Sequence, residues 1–325
     1  MNNNAFLKAL AFIALTGCVD REGGNPPPPS GAAAVGHPNA DVWYLTTDDK
    51  QRLFVKELGQ GDPVIVLHGG WGAEHSYLID AVAGLERNRR FIFYDQRGSL
   101  RSPADPETIS LDRMIADLDL LRRELQLGRV TLLGHSMGTL LAQAYATRHP
   151  ERVDSLVLVG AVWPVPQGEH DQDTISAQFE AFQYFAGTNS RKEIQEESLD
   201  RPADQLTQKE QSYKWQIGYA AHNIYHVERW REIKGGMAFF NEEVGAAVNE
   251  DAPEGGWNLM EELQKLDIPI TVILGDHDLV DFGAKIWRDL IEDLPNGKLV
   301  VLEQAGHLPW IDQPDRFRSA LQSAL

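Results

Sequence analysis

The chain is 325 residues long, 42% hydrophobic and 24% charged, a balance that excludes disordered, collagen-like and coiled-coil proteins. Its 48 Asp and Glu against 30 Lys and Arg give a net charge of −18. A field of that sign repels phosphate backbones and anionic headgroups, so no nucleic-acid partner is expected.

The N-terminus comes first. Residues 1–17 have the layout of an export signal, with a short polar start carrying Lys8, an apolar run from Ala9 to Leu15, and Gly17 at the end. The run is too short to span a bilayer, which takes about 20 residues. Leu15-Thr16-Gly17-Cys18 resembles the bacterial lipobox. That resemblance implies cleavage after Gly17, acylation of Cys18, and membrane contact through Cys18 alone. Residues 18–40 contain Pro26-Pro27-Pro28-Pro29 and read as a Pro/Gly-rich tether. Losing residues 1–17 removes one Lys and no acid, so charge cannot hold the mature chain at a membrane. The acyl chains must do so, at about 0.8 kcal/mol per buried methylene. Val19 rather than Asp follows Cys18, and in a Gram-negative host this implies sorting to the outer membrane. The expected location is therefore the cell envelope, exported and lipid-anchored.

From Asp41 onward strand and helix patterns alternate, which predicts an α/β fold with a mostly parallel sheet covered by helices on both faces. Eight strands are predicted: Val42 to Thr46, Arg52 to Leu58, Val64 to Leu67, Phe91 to Tyr94, Val130 to Leu133, Ser155 to Val159, Ile270 to Leu274 and Leu299 to Leu302. Behind a Ser110 cap, Leu111, Met114, Ile115, Leu118, Leu121 and Leu125 recur at helical spacing. Residues 164–269 offer no good strand and are rich in aromatic residues, Gln and Glu, which predicts a helical cap inserted after the sixth strand. The core then comprises residues 41–163 and 270–325.

The chemistry centres on Gly134-His135-Ser136-Met137-Gly138. A buried strand running into Gly-x-Ser-x-Gly and then a helix is the context of a serine nucleophile at a sharp turn. Ser136 is the predicted nucleophile, and the Met137 N–H at the helix start is one predicted oxyanion donor. The strand ending at Leu67 leads into His68-Gly69-Gly70-Trp71-Gly72, where the Gly70 N–H is the second. His68 reads as a structural histidine fixing this loop. Serine needs a base and the base an orienting carboxylate, in the order Ser, acid, His. Asp278 follows the seventh strand and His307 the eighth, the ends at which parallel strands deliver active-site groups. Asp276 competes for the acid role, although a turn or capping role suits it better. His135, His149, His222, His226 and His277 lack such a strand-end context and read as structural or solvated. No grouping of His with acids has metal-ligand spacing, and a lone Cys cannot build a thiolate site. No metal and no cofactor are expected.

His68-Gly-Gly-Trp-Gly72, Asp95-Gln-Arg-Gly-Ser-Leu-Arg-Ser102, Gly134-His-Ser-Met-Gly138, Gly275-Asp-His-Asp278 and Gly306-His307 together resemble the α/β-hydrolases. The first two look like the proline iminopeptidase branch. Trp71 stands where that branch usually has Pro, and His135 and Met137 stand where it commonly has Gly and Trp. The resemblance selects Asp278 over Asp276, because the acid usually stands three residues after the Gly, and it makes Asp95 to Ser102 structural. It implies a serine hydrolase acting on small peptides or amides with a free N-terminal residue; a carboxylesterase is the enzymatic alternative, and a non-catalytic binding protein of the same fold the other. An aminopeptidase of this branch needs a cap carboxylate for the substrate amine. Glu180, Glu228, Glu242 and Glu243 are the candidates, Glu242 first, with Trp71 as a further substrate contact. Cap aromatics such as Phe182, Phe185, Tyr225, Trp230 and Phe239 are expected mainly to pack the cap onto the sheet.

Overall fold

A computed structural model describes residues 41–325 except 167, 169, 236–239 and 255. The export signal, Cys18, the tether and Phe239 lie outside the described residues. In chain order the elements are β1 (Val42–Thr46), β2 (Arg52–Gly59), β3 (Asp62–Leu67), β4 (Arg89–Tyr94), α1 (Leu111–Glu124), β5 (Val130–His135), α2 (Met137–Arg148) and β6 (Val153–Val159). Then come α3 (Gln172–Glu196), α4 (Gln208–Asn223), α5 (Glu242–Glu250), α6 (Met260–Leu263), β7 (Ile270–Gly275), α7 (Lys285–Leu290), β8 (Gly297–Leu302), α8 (Pro309–Asp312) and α9 (Pro314–Ala324).

All eight predicted strands form, in one sheet of order β1-β2-β4-β3-β5-β6-β7-β8. β1 and β2 pair antiparallel, β2 joins β4 antiparallel, and every other pairing is parallel. Several strands begin two residues earlier than the apolar runs predict. Asp62 pairs with Arg89 and Gly297 with Ile270, because backbone pairing continues past the buried segment onto polar rims. The buried strands send alternate residues to opposite faces: Ile65 and Leu67 of β3 join one apolar cluster, Val64 and Val66 the other. α1 forms as its pattern requires, with Ser110 Oγ accepting from Arg113 N at 3.2 Å and Leu111, Met114, Ile115, Leu118 and Leu121 buried.

Between β6 and β7 the described residues form helices and no strand. This insertion divides between the two cores. Phe182 and Ala186 of α3 with Ile217, Ala220 and Ala221 of α4 extend one cluster, whereas Val244 and Val248 of α5 and Met260 and Leu263 of α6 belong to the other. Among the described residues no helix is long and apolar enough to cross a membrane.

From β3 the chain moves outward to β4, then returns to place β5 on the other side of β3. The connections diverge there, and in a parallel sheet the crevice at such a switch point receives side chains from the carboxyl ends of the strands.

Candidate active site

Ser136 joins β5 to α2 with φ 51° and ψ −124°, a conformation that costs a non-glycine residue about 1 to 3 kcal/mol and persists only when its surroundings enforce it. They do so through the Ser136 N–H, which donates to Val159 O at 2.9 Å, and the Ser136 carbonyl, which accepts from Thr139 N at 2.8 Å. A Cβ on Gly134 would sit 2.7 Å from Gly138 O, and one on Gly138 2.3 Å from Leu67 O. Both neighbours of the turn must therefore be glycine, which is the physical content of the motif.

Asp278 and His307 come together as predicted. Asp278 is fully buried, and its Oδ1 accepts from His307 Nδ1 at 2.9 Å and from Val280 N at 2.8 Å. With the proton on Nδ1, His307 Nε2 is left as the basic nitrogen. Asp276 faces elsewhere, bonding His277 Nδ1 at 2.7 Å and Ala305 N at 3.2 Å. Space for the pair is made by Gly160, just past β6 at φ +56°, where a Cβ would lie 2.7 Å from His307 Cε1 and Nδ1.

The loop after β3 lies against the turn, since a Cβ on Gly69 would be 2.6 Å from Ser136 Cβ. The next residue is Gly70, at φ 65°. Met137 opens α2, so its N–H is among the first-turn donors that have no acceptor inside the helix. His68 ties this loop to the end of β4: its Nε2 accepts from Gln96 N at 3.0 Å and its Nδ1 bonds Gly69 O at 3.1 Å. Burial lowers its pKa and keeps it neutral. The Asp95 to Ser102 segment is structural as expected. Asp95 Oδ1 accepts from His75 Nδ1 at 2.6 Å, and Arg97 is buried between Asp49 and Asp117.

Trp71 is buried, within the core cluster that includes Val244, and its Nε1 has no hydrogen-bond partner among the described residues. Glu242 and Glu243 are exposed on the first turn of α5, and Glu180 and Glu228 are exposed as well. A grouping of acids and histidine unseen in the sequence is buried Glu74, His75 and Asp95, whose ligand-type atoms lie within 4.8 Å of one another. Arg101 Nη1 already occupies the cationic position, at 3.0 Å from Glu74 and 3.3 Å from Asp95.

Three further residues escape sequence reasoning. Asp312 is buried and accepts from Gly306 N at 2.8 Å, Tyr225 N at 2.8 Å and His226 N at 2.9 Å, so one carboxylate fastens the His307 loop to the insertion. For His135 the structure corrects the expected lack of strand-end context: β5 extends to it, and its ring packs 4.6 Å from that of His307. Tyr77 bonds His135 Nδ1 at 2.6 Å. No short-range pattern marks Asp312 or Tyr77; for His135 the carboxyl end of β5 is the one local signal.

A family model described as alpha/beta hydrolase fold matches residues 62–314, more than half of the chain. The chain belongs to the α/β-hydrolase family. This hydrolase is 28% identical over 280 residues to a proline iminopeptidase of Heyndrickxia coagulans, an alignment covering 82% of this chain and 91% of the relative. Among solved structures it resembles an esterase from Exiguobacterium antarcticum at a TM-score of 0.63 and 21% identity, covering 86% of this chain and 97% of that one. It also resembles a proline iminopeptidase of Mycobacterium smegmatis at 0.60 and 19%, covering 87% and 96%. At those identities the two structures speak for the fold alone.

Proposed function

We propose that this hydrolase works by acyl transfer through Ser136. Ser136 Oγ attacks the substrate carbonyl and passes its proton to His307 Nε2, while Asp278 holds the Nδ1–H and stabilises the imidazolium that forms. The Gly70 and Met137 N–H groups receive the oxyanion. The leaving group takes the proton from His307, and water then enters by the same route to release the acid and free Ser136. The observation that carries this reading is the 2.9 Å Asp278–His307 bond; Ser136, held at φ 51°, bonds Val159 O, and the His307 ring lies against Gly160, the next residue.

The proposed substrate is a small peptide or amide with a free N-terminal residue, supported by the family's named relatives. Esterase action on small uncharged esters is the second reading, favoured by a specific observation: all four candidate carboxylates for the substrate amine are exposed. The described pocket between α3 and the Asp278 loop is lined by Trp163, Ile175, Phe179, Phe182, Val280 and Phe282, among others, and by no acid among the described residues. A panel of proline amides against nitrophenyl esters separates the two. Under the peptidase reading, one of Glu180, Glu228, Glu242 or Glu243 changed to Gln raises KM for free peptides but not for acetylated ones, by the 2 to 5 kcal/mol or so that a lost charge partner costs. Four variants that treat both substrates like wild type, with esters turned over faster than any amide, establish the esterase.

We further propose that the mature chain begins at an acylated Cys18 and is held in the bacterial envelope, in a Gram-negative host at the outer membrane, by that anchor. Metabolic labelling with palmitate, lost in Cys18→Ser, supports this. An unmodified chain beginning at Met1 overturns it.

A further inference from the structure

Behind the catalytic groups runs a buried chain of hydrogen bonds that the mechanism above does not use. Gly69 N–H donates to Tyr77 Oη at 2.7 Å, Tyr77 Oη lies 2.6 Å from His135 Nδ1, and His135 Nε2 lies 3.0 Å from the carbonyl of His307. The partners fix every proton. A carbonyl only accepts, so His135 Nε2 carries the hydrogen; a neutral imidazole has one N–H, so Nδ1 accepts; and Tyr77 therefore donates to it. Burial lowers the His135 pKa well below its ordinary value and raises that of Tyr77, and both stay neutral around pH 7. The other tautomer would aim two N–H groups at the tyrosine oxygen and face a lone pair to the His307 carbonyl, so one arrangement is strongly preferred.

The chain joins segments far apart in sequence: the oxyanion loop at Gly69, the turn His75–Leu78, the end of β5 one residue before Ser136, and the loop after β8 that carries His307. Trp310 packs against the His135 ring in a T-shaped arrangement, centroids 5.1 Å apart.

We propose that Tyr77 and His135 are positioning residues that set the oxyanion loop and the His307 main chain at a fixed separation from Ser136. This rests on the acyl-enzyme reading, in which an oxyanion donor and the base must meet the nucleophile together. Among the described residues neither hydrogen-bonds the Ser136 side chain or the His307 ring. Their effect is on kcat, because a misplacement of about 1 Å costs about 10²-fold in rate.

The test uses the purified protein, p-nitrophenyl acetate as substrate, and a fluorophosphonate both to titrate active sites and to measure the rate of Ser136 modification. Tyr77→Phe and His135→Leu are expected to lower kcat per active site and the modification rate by about 10²-fold, with KM changed less than about threefold. His135→Gln can still offer a hydrogen to the His307 carbonyl and is expected to recover about tenfold over His135→Leu. Wild-type kcat in the variants, whatever their Tm, overturns the proposal, and so does a His135→Gln no faster than His135→Leu. If Tyr77→Phe does not fold, the two His135 variants decide. A wild-type protein that the fluorophosphonate does not modify overturns the acyl-enzyme reading itself, whereas a modified wild type with unaffected variants overturns only the positioning role.

Discussion

Gly160→Ala isolates how tightly the His307–Asp278 pair is held. The new methyl group would stand 2.7 Å from His307 Cε1 and Nδ1 and 3.3 Å from Asp278 Oδ2, against ordinary contact beginning at 3.4 Å. Backbone on three sides limits the retreat of His307: Gly306 N is bonded to Asp312, Leu308 N to Asn223 O at 2.9 Å, and the His307 carbonyl to His135. The ring must therefore shift by about 1 Å relative to Ser136, which is worth about 10²-fold in kcat. The positive φ adds about 1 to 2 kcal/mol of backbone strain. Gly256→Ala is the control, since at φ +103° it carries strain but its new methyl group would meet no described residue within 4 Å. With nitrophenyl ester turnover normalised to active sites and melts run in parallel, both variants should lose Tm and only Gly160→Ala should lose kcat. Wild-type kcat in Gly160→Ala, or an equal loss in Gly256→Ala, refutes the reasoning.

Asp278→Asn should lower kcat by about 10⁴-fold through loss of the productive His307 tautomer, and Asp276→Asn by less than about tenfold, since its partners are His277 and Ala305 N; kinetics on the two variants give the ranking. Asp312→Asn leaves one acceptor oxygen facing three backbone N–H groups and should destabilise the fold by about 1 to 3 kcal/mol, read by denaturant titration, with a fall in kcat as the His307 loop loosens. An unchanged midpoint would show that the N–H facing the new amide nitrogen, that of His226 when Gly306 and Tyr225 keep the oxygen, finds another acceptor.

The eight strands were legible because short apolar runs bounded by turn residues mark strands without reference to the rest of the chain, whether they pair parallel or, as β1 and β2 do, antiparallel. The turn at Ser136 was legible for the same reason, as Gly134 is required by a contact four residues away and Gly138 by one on the neighbouring strand. Family spacing selects Asp278 over Asp276, and in the structure Asp278 bonds His307 whereas Asp276 bonds His277, partners that no local pattern encodes. Gly160, Tyr77, His135 and Asp312 were not legible in their roles. Each acts across a long separation, 172 residues from His135 to His307 and 87 from Asp312 to Tyr225, and a lone polar residue carries no signal of a partner so distant. The insertion was legible as helical from its missing strands, but its division between the two cores depends on Val244 and Met260 packing on opposite sides from Phe182 and Ile217.

The nucleophile itself is tested most directly by fluorophosphonate modification followed by peptide mass mapping. One adduct on Ser136 is expected, absent in Ser136→Ala, which should melt like wild type and lose several orders of magnitude in kcat. An adduct on another residue, or a Ser136→Ala variant that keeps more than about a tenth of the activity, contradicts acyl transfer through Ser136.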